Sequence, residues 1–314
     1  MRDQFIKQLF KLAKEDPRVM LLTGDLGFGV LEGFEGSFPE QFLNVGVAEQ
    51  NMIGLATGMA LEGRIVFAYS IGNFGTLRCY EQIRNDACYH EANVNIVCVG
   101  TGFSYGSLGI SHHATEDISV FRAMPNLTIC SPGDFWEAQM CTEALYKKSG
   151  TGYLRLDKSS AGNTQRPNET FELGKARLLR KGSEVLLITT GGILNEALEA
   201  SDLLLSQDVS AAVLHFPTII PFDSDGLISL VRDFSCVFTV EEHTISGGFG
   251  SLVAETLIEA GSVPKRFVRI GLRSGFSSVV GSQQYLRRYY EVDKLAIVDK
   301  VRPVLSSEHV YETR

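Results

Sequence analysis

With 314 residues, 44% of them hydrophobic and 21% charged, the chain is long enough for two globular domains, each with its own core. A net charge of −8 argues against a nucleic-acid surface, and the isolated pairs Lys147-Lys148 and Arg287-Arg288 read as solvated faces, not binding patches. Residues 1–7 lack a signal-peptide core, no run approaches the roughly 20 apolar residues of a membrane span, and six scattered cysteines without a Cys-x-x-Cys pair suggest reduced core thiols in a cytoplasmic protein.

Short apolar runs alternate with amphipathic stretches, which predicts a parallel α/β fold. A helix over residues 3–15 precedes a strand at 19–23. Phe42, Leu43, Val45 and Val47 predict a short buried strand, followed by a helix over 50–62 in which Gly54, Ala56, Gly58 and Ala60 permit close packing. Strands follow at 65–69, 94–99, 127–130 and 153–156, with helices over 75–90 and 134–148. The stretch 159–169 is polar and breaker-rich, and reads as a linker. Beyond it, strands at 185–190, 211–215 and 237–240 alternate with helices at 193–206 and 226–231. The expected fold class is α/β with two doubly wound domains, a mainly parallel one at 1–160 and a smaller one at 184–314, joined by a linker at 161–183.

Glu49, in Val45-Gly46-Val47-Ala48-Glu49-Gln50-Asn51, is either an ordinary first-turn charge favoured by the helix dipole or a functional acid in an apolar setting. The turn Thr23-Gly24-Asp25-Leu26-Gly27-Phe28-Gly29 suits a ligand loop, although Asp25 could serve only to close the turn. Gly100-Thr101-Gly102-Phe103-Ser104-Tyr105 has Tyr105 where a dinucleotide fingerprint needs its third glycine. The loop at 106–117 should reach the same carboxyl edge as the Asp25 and Glu49 loops and form a pocket with them. Adjacent His112 and His113 cannot both face the chemistry, and two neighbours alone make a poor metal shell. Glu116 and Asp117 read as caps of a following helix. Phe74 lies in a loop where it could stack on a flat ring, or serve as a core or interface aromatic.

Taken together, Asp25-Leu26, Gly46-Val47-Ala48-Glu49-Gln50, Tyr80-Glu81-Gln82-Ile83-Arg84-Asn85-Asp86, the run from Gly109 to Asp117, and Ser131-Pro132-Gly133-Asp134 resemble the pyrimidine-binding domain of transketolases. Pro217-Thr218-Ile219-Ile220-Pro221-Phe222-Asp223 and the run from Val240 to Gly250 resemble the C-terminal domain of the same family. The order and spacing fit over nearly the whole chain. The resemblance gives Glu49 a role: it hydrogen-bonds the aminopyrimidine of thiamine diphosphate and favours the imino tautomer that deprotonates the thiazolium carbon. An apolar site should raise the proton affinity of a carboxyl group used in this way. Asp25 and Leu26 join the cofactor contacts, and Phe74 is the aromatic that best matches the family's pyrimidine stack. His112 matches a histidine near the donor sugar and the reacting carbon, and His113, which stands where transketolases often carry Gln, joins it among the expected substrate contacts.

Departures from the family bear on substrate. Leu108 replaces an acidic residue, and Gly100 an additional histidine. Lys158 stands for a sugar-phosphate-binding Arg, with Arg2 matching a second one. Lysine is a point charge, unlike the bidentate arginine fork, so anion recognition should be looser. The family's diphosphate and Mg2+ site, a Gly-Asp-Gly motif followed by Asn, is missing, and Pro132-Gly133-Asp134-Phe135 is no substitute. The resemblance therefore implies a separately encoded C-terminal half that needs an N-terminal transketolase subunit carrying the diphosphate and Mg2+. It also implies a two-fold contact through the helix after Glu49 within an α2β2 complex. The competing readings are a β-type subunit of a 2-oxoacid dehydrogenase and a non-catalytic interaction subunit. Glu241-Glu242-His243 reads as structural or interfacial.

Overall fold

The computed structural model describes residues 1–273 and 275–312. Its strands are β1 (Val19–Thr23), β2 (Phe42–Asn44), β3 (Ile65–Ile71), β4 (Val94–Val99), β5 (Leu127–Cys130), β6 (Thr151–Leu156), β7 (Arg177–Arg180), β8 (Val185–Thr189), β9 (Ala211–His215), β10 (Thr218–Ile220), β11 (Cys236–Thr244) and β12 (Arg266–Leu272). They form a seven-stranded sheet in the order β10-β5-β6-β4-β3-β1-β2 and a five-stranded sheet in the order β12-β11-β8-β9-β7. Both sheets are parallel except for one antiparallel edge strand each, β10 and β7. The central strands β1, β4, β5, β6, β8 and β9 are buried along their whole length, which is why they appear in the sequence as continuous apolar runs.

The expected α/β class with two mainly parallel sheets is what the chain adopts. Several local readings differ. β2 is a half-buried edge strand of three residues, and Val47 lies beyond it with its side chain in solvent. The helix expected at 75–90 is broken into short turns at Gly72–Gly75, Leu77–Cys79 and Tyr80–Gln82, followed by a π-helical stretch at Ile83–Cys88. Residues 177–180, read as linker, form β7 against β9. β10 has no counterpart among the expected strands, because it comes from the C-terminal half of the chain yet pairs with β5 in the first sheet. Beside it, Ser131 N–H donates to Pro217 O at 2.8 Å, so backbone hydrogen bonds stitch the two units together.

The Glu241-Glu242-His243 motif tightens that junction. Glu242 accepts from Phe103 N–H at 2.5 Å and from Gln283 Nε2, and it pairs with the buried Arg287. His243 Nε2 accepts from Ile118 N–H at 3.1 Å while Nδ1 faces Thr244 O at 2.8 Å, so the ring is held as the neutral Nδ1–H tautomer. Burial pushes the His243 pKa down to about 4 from the ordinary 6.5, against the opposing pull of Asp117. A histidine kept neutral this way stabilises the fold fully above pH 6.5 and loses that contribution as pH falls through about 4. The shift corresponds to about 3 kcal/mol. Burial raises the pKa of neighbouring Glu241 to about 7, which acts with the opposite sign in the same window. The expected readout is therefore a difference: in thermal melts the wild type loses stability relative to His243→Gln as pH falls from 6.5 to about 4, and equal slopes for the two proteins would refute it.

Candidate active site

The loops after β4, β3, β1 and β2 leave adjacent strands at their carboxyl ends, so they meet at one edge of the first sheet. After β1, a Cβ on Gly24 would sit 3.3 Å from Gly46 O and 3.6 Å from Glu49 Cγ, so this turn lies in close contact with the acid. Asp25 takes φ +58° at the exposed rim; its N–H donates to Asn44 Oδ1 at 3.0 Å, and Asn44 Nδ2 donates back to Asp25 Oδ1 at 3.3 Å. Leu26 is half-buried beside it.

Glu49 opens the helix Glu49–Leu61 and is buried in its first turn, where aligned peptide dipoles favour a negative charge. Its surroundings are not wholly apolar. Arg78 Nη1 donates to Glu49 Oε2 at 2.8 Å, and Arg78 Cζ lies 4.6 Å from the centroid of the Phe74 ring. Sequence reasoning missed Arg78, because an exposed cation on an irregular turn carries no periodic signal. Phe74 in turn lies edge-on to His112, with ring centroids 5.1 Å apart. A carboxylate, a planar cation and an aromatic face thus stand in one contact chain.

The two histidines diverge. His112 sits half-buried on the turn Ile110–His112, with Nδ1 3.0 Å from Ser111 Oγ. Burial, and then neighbouring His113, lower its pKa below the ordinary value, which leaves a neutral imidazole at pH 7. The structure places His113 inside the chain, edge-on to Phe103, with Nε2 3.2 Å from Gly106 O. Asn73 Nδ2 donates to His113 O at 2.7 Å and ties the β3 and β4 loops together. Asp117 makes no side-chain cap, contrary to expectation. It is drawn inward by Tyr153 Oη at 2.6 Å and Arg155 Nε at 2.8 Å, because a buried arginine needs a carboxylate more than a short helix needs a cap.

Tyr105, whose ring centroid lies 6.2 Å from that of His112, lines a cavity of about 210 Å3 with Met1, Val99, Gly100, the cations Arg2 and Lys158 and the carboxylates Asp3 and Asp157. Arg2 Nε donates to Asp3 Oδ1 at 3.0 Å. Lys158 Nζ lies 3.8 Å from the Tyr105 ring centroid, and burial followed by the Arg2 charge lowers its pKa. Tyr105 is a second residue that the sequence did not flag. Gly100 has φ +85°, and a Cβ there would fall 2.0 Å from Tyr105 Cε2, so the tyrosine ring fills the space beside Gly100. Wider grooves of about 460 and 470 Å3, the first lined by residues 231–235 and 260–265 and the second by Trp136 and Phe171 among others, hold none of these groups.

The residues fit an aminopyrimidine ring. A planar cation already rests on Glu49 and against Phe74, which shows that the acid and the aromatic face can hold a flat N–H donor between them. The domain is thus of the α/β class, with a buried acid at the carboxyl edge of its parallel sheet. The transketolase pyrimidine-binding domain model matches residues 1–163, and the transketolase C-terminal domain model matches residues 174–297. A putative transketolase C-terminal section from Methanocaldococcus jannaschii is 36% identical over 98% of this chain and 97% of its own length. One of the subunits of an apulose-4-phosphate transketolase, from Actinobacillus succinogenes, is 33% identical over 85% of each chain. A solved split-gene transketolase, described as an inactive beta4 tetramer, superposes with a TM-score of 0.87 at 32% identity, covering 97% of this chain and 98% of that one. The chain belongs to the transketolase family, of which it comprises the pyrimidine-binding and C-terminal domains.

Proposed function

We propose that the chain is the pyrimidine-binding subunit of a split, thiamine-diphosphate-dependent transketolase. It transfers a two-carbon ketol unit from a ketose bearing phosphate or a similar anion to an aldose. It works only with a partner subunit that holds the diphosphate and Mg2+. The observation that carries this reading is the chain of contacts Glu49–Arg78–Phe74–His112 at the sheet edge of a protein without a Gly-Asp-Gly motif.

Bound thiamine diphosphate would supply the electron sink that carbon–carbon cleavage requires. Glu49 would exchange a proton with the ring nitrogen that faces it, shielded from water by its burial. Phe74 would support the ring face, and the Asp25-Leu26 turn would border it. Neutral His112 can accept or return a proton at a substrate hydroxyl. Arg2 and Lys158 would meet the substrate's anion, with Arg2 turning from its pair with Asp3, and the phosphorylated sugar in the name of the Actinobacillus relative supports that class. The partner is the N-terminal transketolase subunit. For an α2β2 complex, the helix Glu49–Leu61 offers a self-contact, since Leu55 and Leu61 are exposed and Gly54 and Gly58 have open space above them.

Incubating the reconstituted complex with a phosphorylated ketose and an aldose should yield the ketol-extended product without carbon dioxide. Carbon dioxide release from a 2-oxoacid, with acyl transfer to a lipoyl domain, would instead assign the chain to a 2-oxoacid dehydrogenase.

A further inference from the structure

Arg78 makes the two contacts that the proposed cofactor ring needs. It donates to Glu49 Oε2 and lies against the Phe74 ring. A guanidinium is planar, delocalised and cationic, and it donates N–H groups along one edge. An aminopyrimidine protonated on the ring nitrogen facing the acid has the same attributes: flat, cationic and an N–H donor. The two would compete for one place.

Burial shows which partner moves. The Glu49 side chain is 3% exposed, whereas that of Arg78 is 46% exposed. A buried carboxylate without a counter-charge is costly, and Arg78 supplies that charge to Glu49. Its long flexible stem, on an exposed turn, can carry the head group into water at little cost. We infer that Arg78 is a latch on the pyrimidine seat, closed on Glu49 and Phe74 in the free protein and displaced when the cofactor ring enters. This rests on the assignment of Glu49 and Phe74 as pyrimidine contacts. The latch keeps the lone acid neutralised until the partner delivers the cofactor, and it weakens apparent affinity by the fraction of molecules in which the seat is closed.

The test is calorimetric binding of thiamine diphosphate with Mg2+ to the reconstituted complex, independent of turnover. Arg78→Met keeps the stem but removes the competing head group, and should tighten binding by about 10-fold. Arg78→Lys, which keeps the charge without the planar stack, should fall between Arg78→Met and the wild type. Weaker or unchanged binding by Arg78→Met overturns the latch; weaker binding would make Arg78 a support of the bound ring. Glu49→Gln and Phe74→Ala measured alongside separate the two claims. If both weaken binding while Arg78→Met fails to tighten it, only the latch falls; if neither matters, the pyrimidine assignment falls with it.

Discussion

Glu49→Gln in the reconstituted complex is expected to lower kcat by about 10²–10⁴-fold, the range supplied by a positioned acid–base group, with assembly of the subunits intact. Glutamine keeps the size of the side chain and an acceptor oxygen at the helix start, so the Glu49–Leu61 helix and its packing should persist. It cannot exchange a proton with a ring nitrogen. The replacement also removes the charge that Arg78 meets at 2.8 Å, so the free chain should lose little stability, because Arg78 can turn to solvent. Steady-state kinetics with size-exclusion analysis of the complex checks both halves. Unchanged turnover would make this chain a structural subunit.

The chain purified alone is expected to show no ketol transfer and no tight binding of thiamine diphosphate. Mixing with the diphosphate-binding subunit should raise turnover at least about 10³-fold, as expected when a missing positioning element is restored. The physical reason is electrostatic. The groups at the carboxyl edge of the first sheet include Asp25 and Glu49, and a net charge of −8 disfavours a free polyanionic tail. The aromatic face and the acid address only the pyrimidine end of the cofactor. Full activity from this chain by itself would reject the shared-site reading.

Much of the architecture was legible because fully buried parallel strands must be apolar along their length. β1, β4, β5, β6, β8 and β9 announce themselves as short apolar runs separated by helical spacing. Glu49 stood out because a carboxylate between an apolar strand and an apolar helix needs a reason. The divergence of His112 and His113 follows from the directions of neighbouring side chains, and the structure has one at the rim and one inside. Irregular elements were not legible in the same way. The segment 72–88 has helical composition, yet it turns several times to bring Phe74 and Arg78 toward Glu49. β7 and β10 are too short for a pattern of their own, and they exist because a distant strand offers free backbone groups.

By itself, the sequence determined that two parallel α/β units are joined in one chain, that their loops carry an acid, an aromatic and histidines, and that a diphosphate motif is missing. The units and their loop residues follow from local composition and spacing, which each segment carries alone, and the missing motif follows from the resemblance to transketolases. The tertiary structure decided which charges meet: Arg78 on Glu49, Arg155 on Asp117, Arg287 on Glu242, and Lys158 over Tyr105 beside Arg2. The partners in these contacts lie on different elements, and burial, which turns a weak surface attraction into a strict pairing requirement, exists only once the chain has folded.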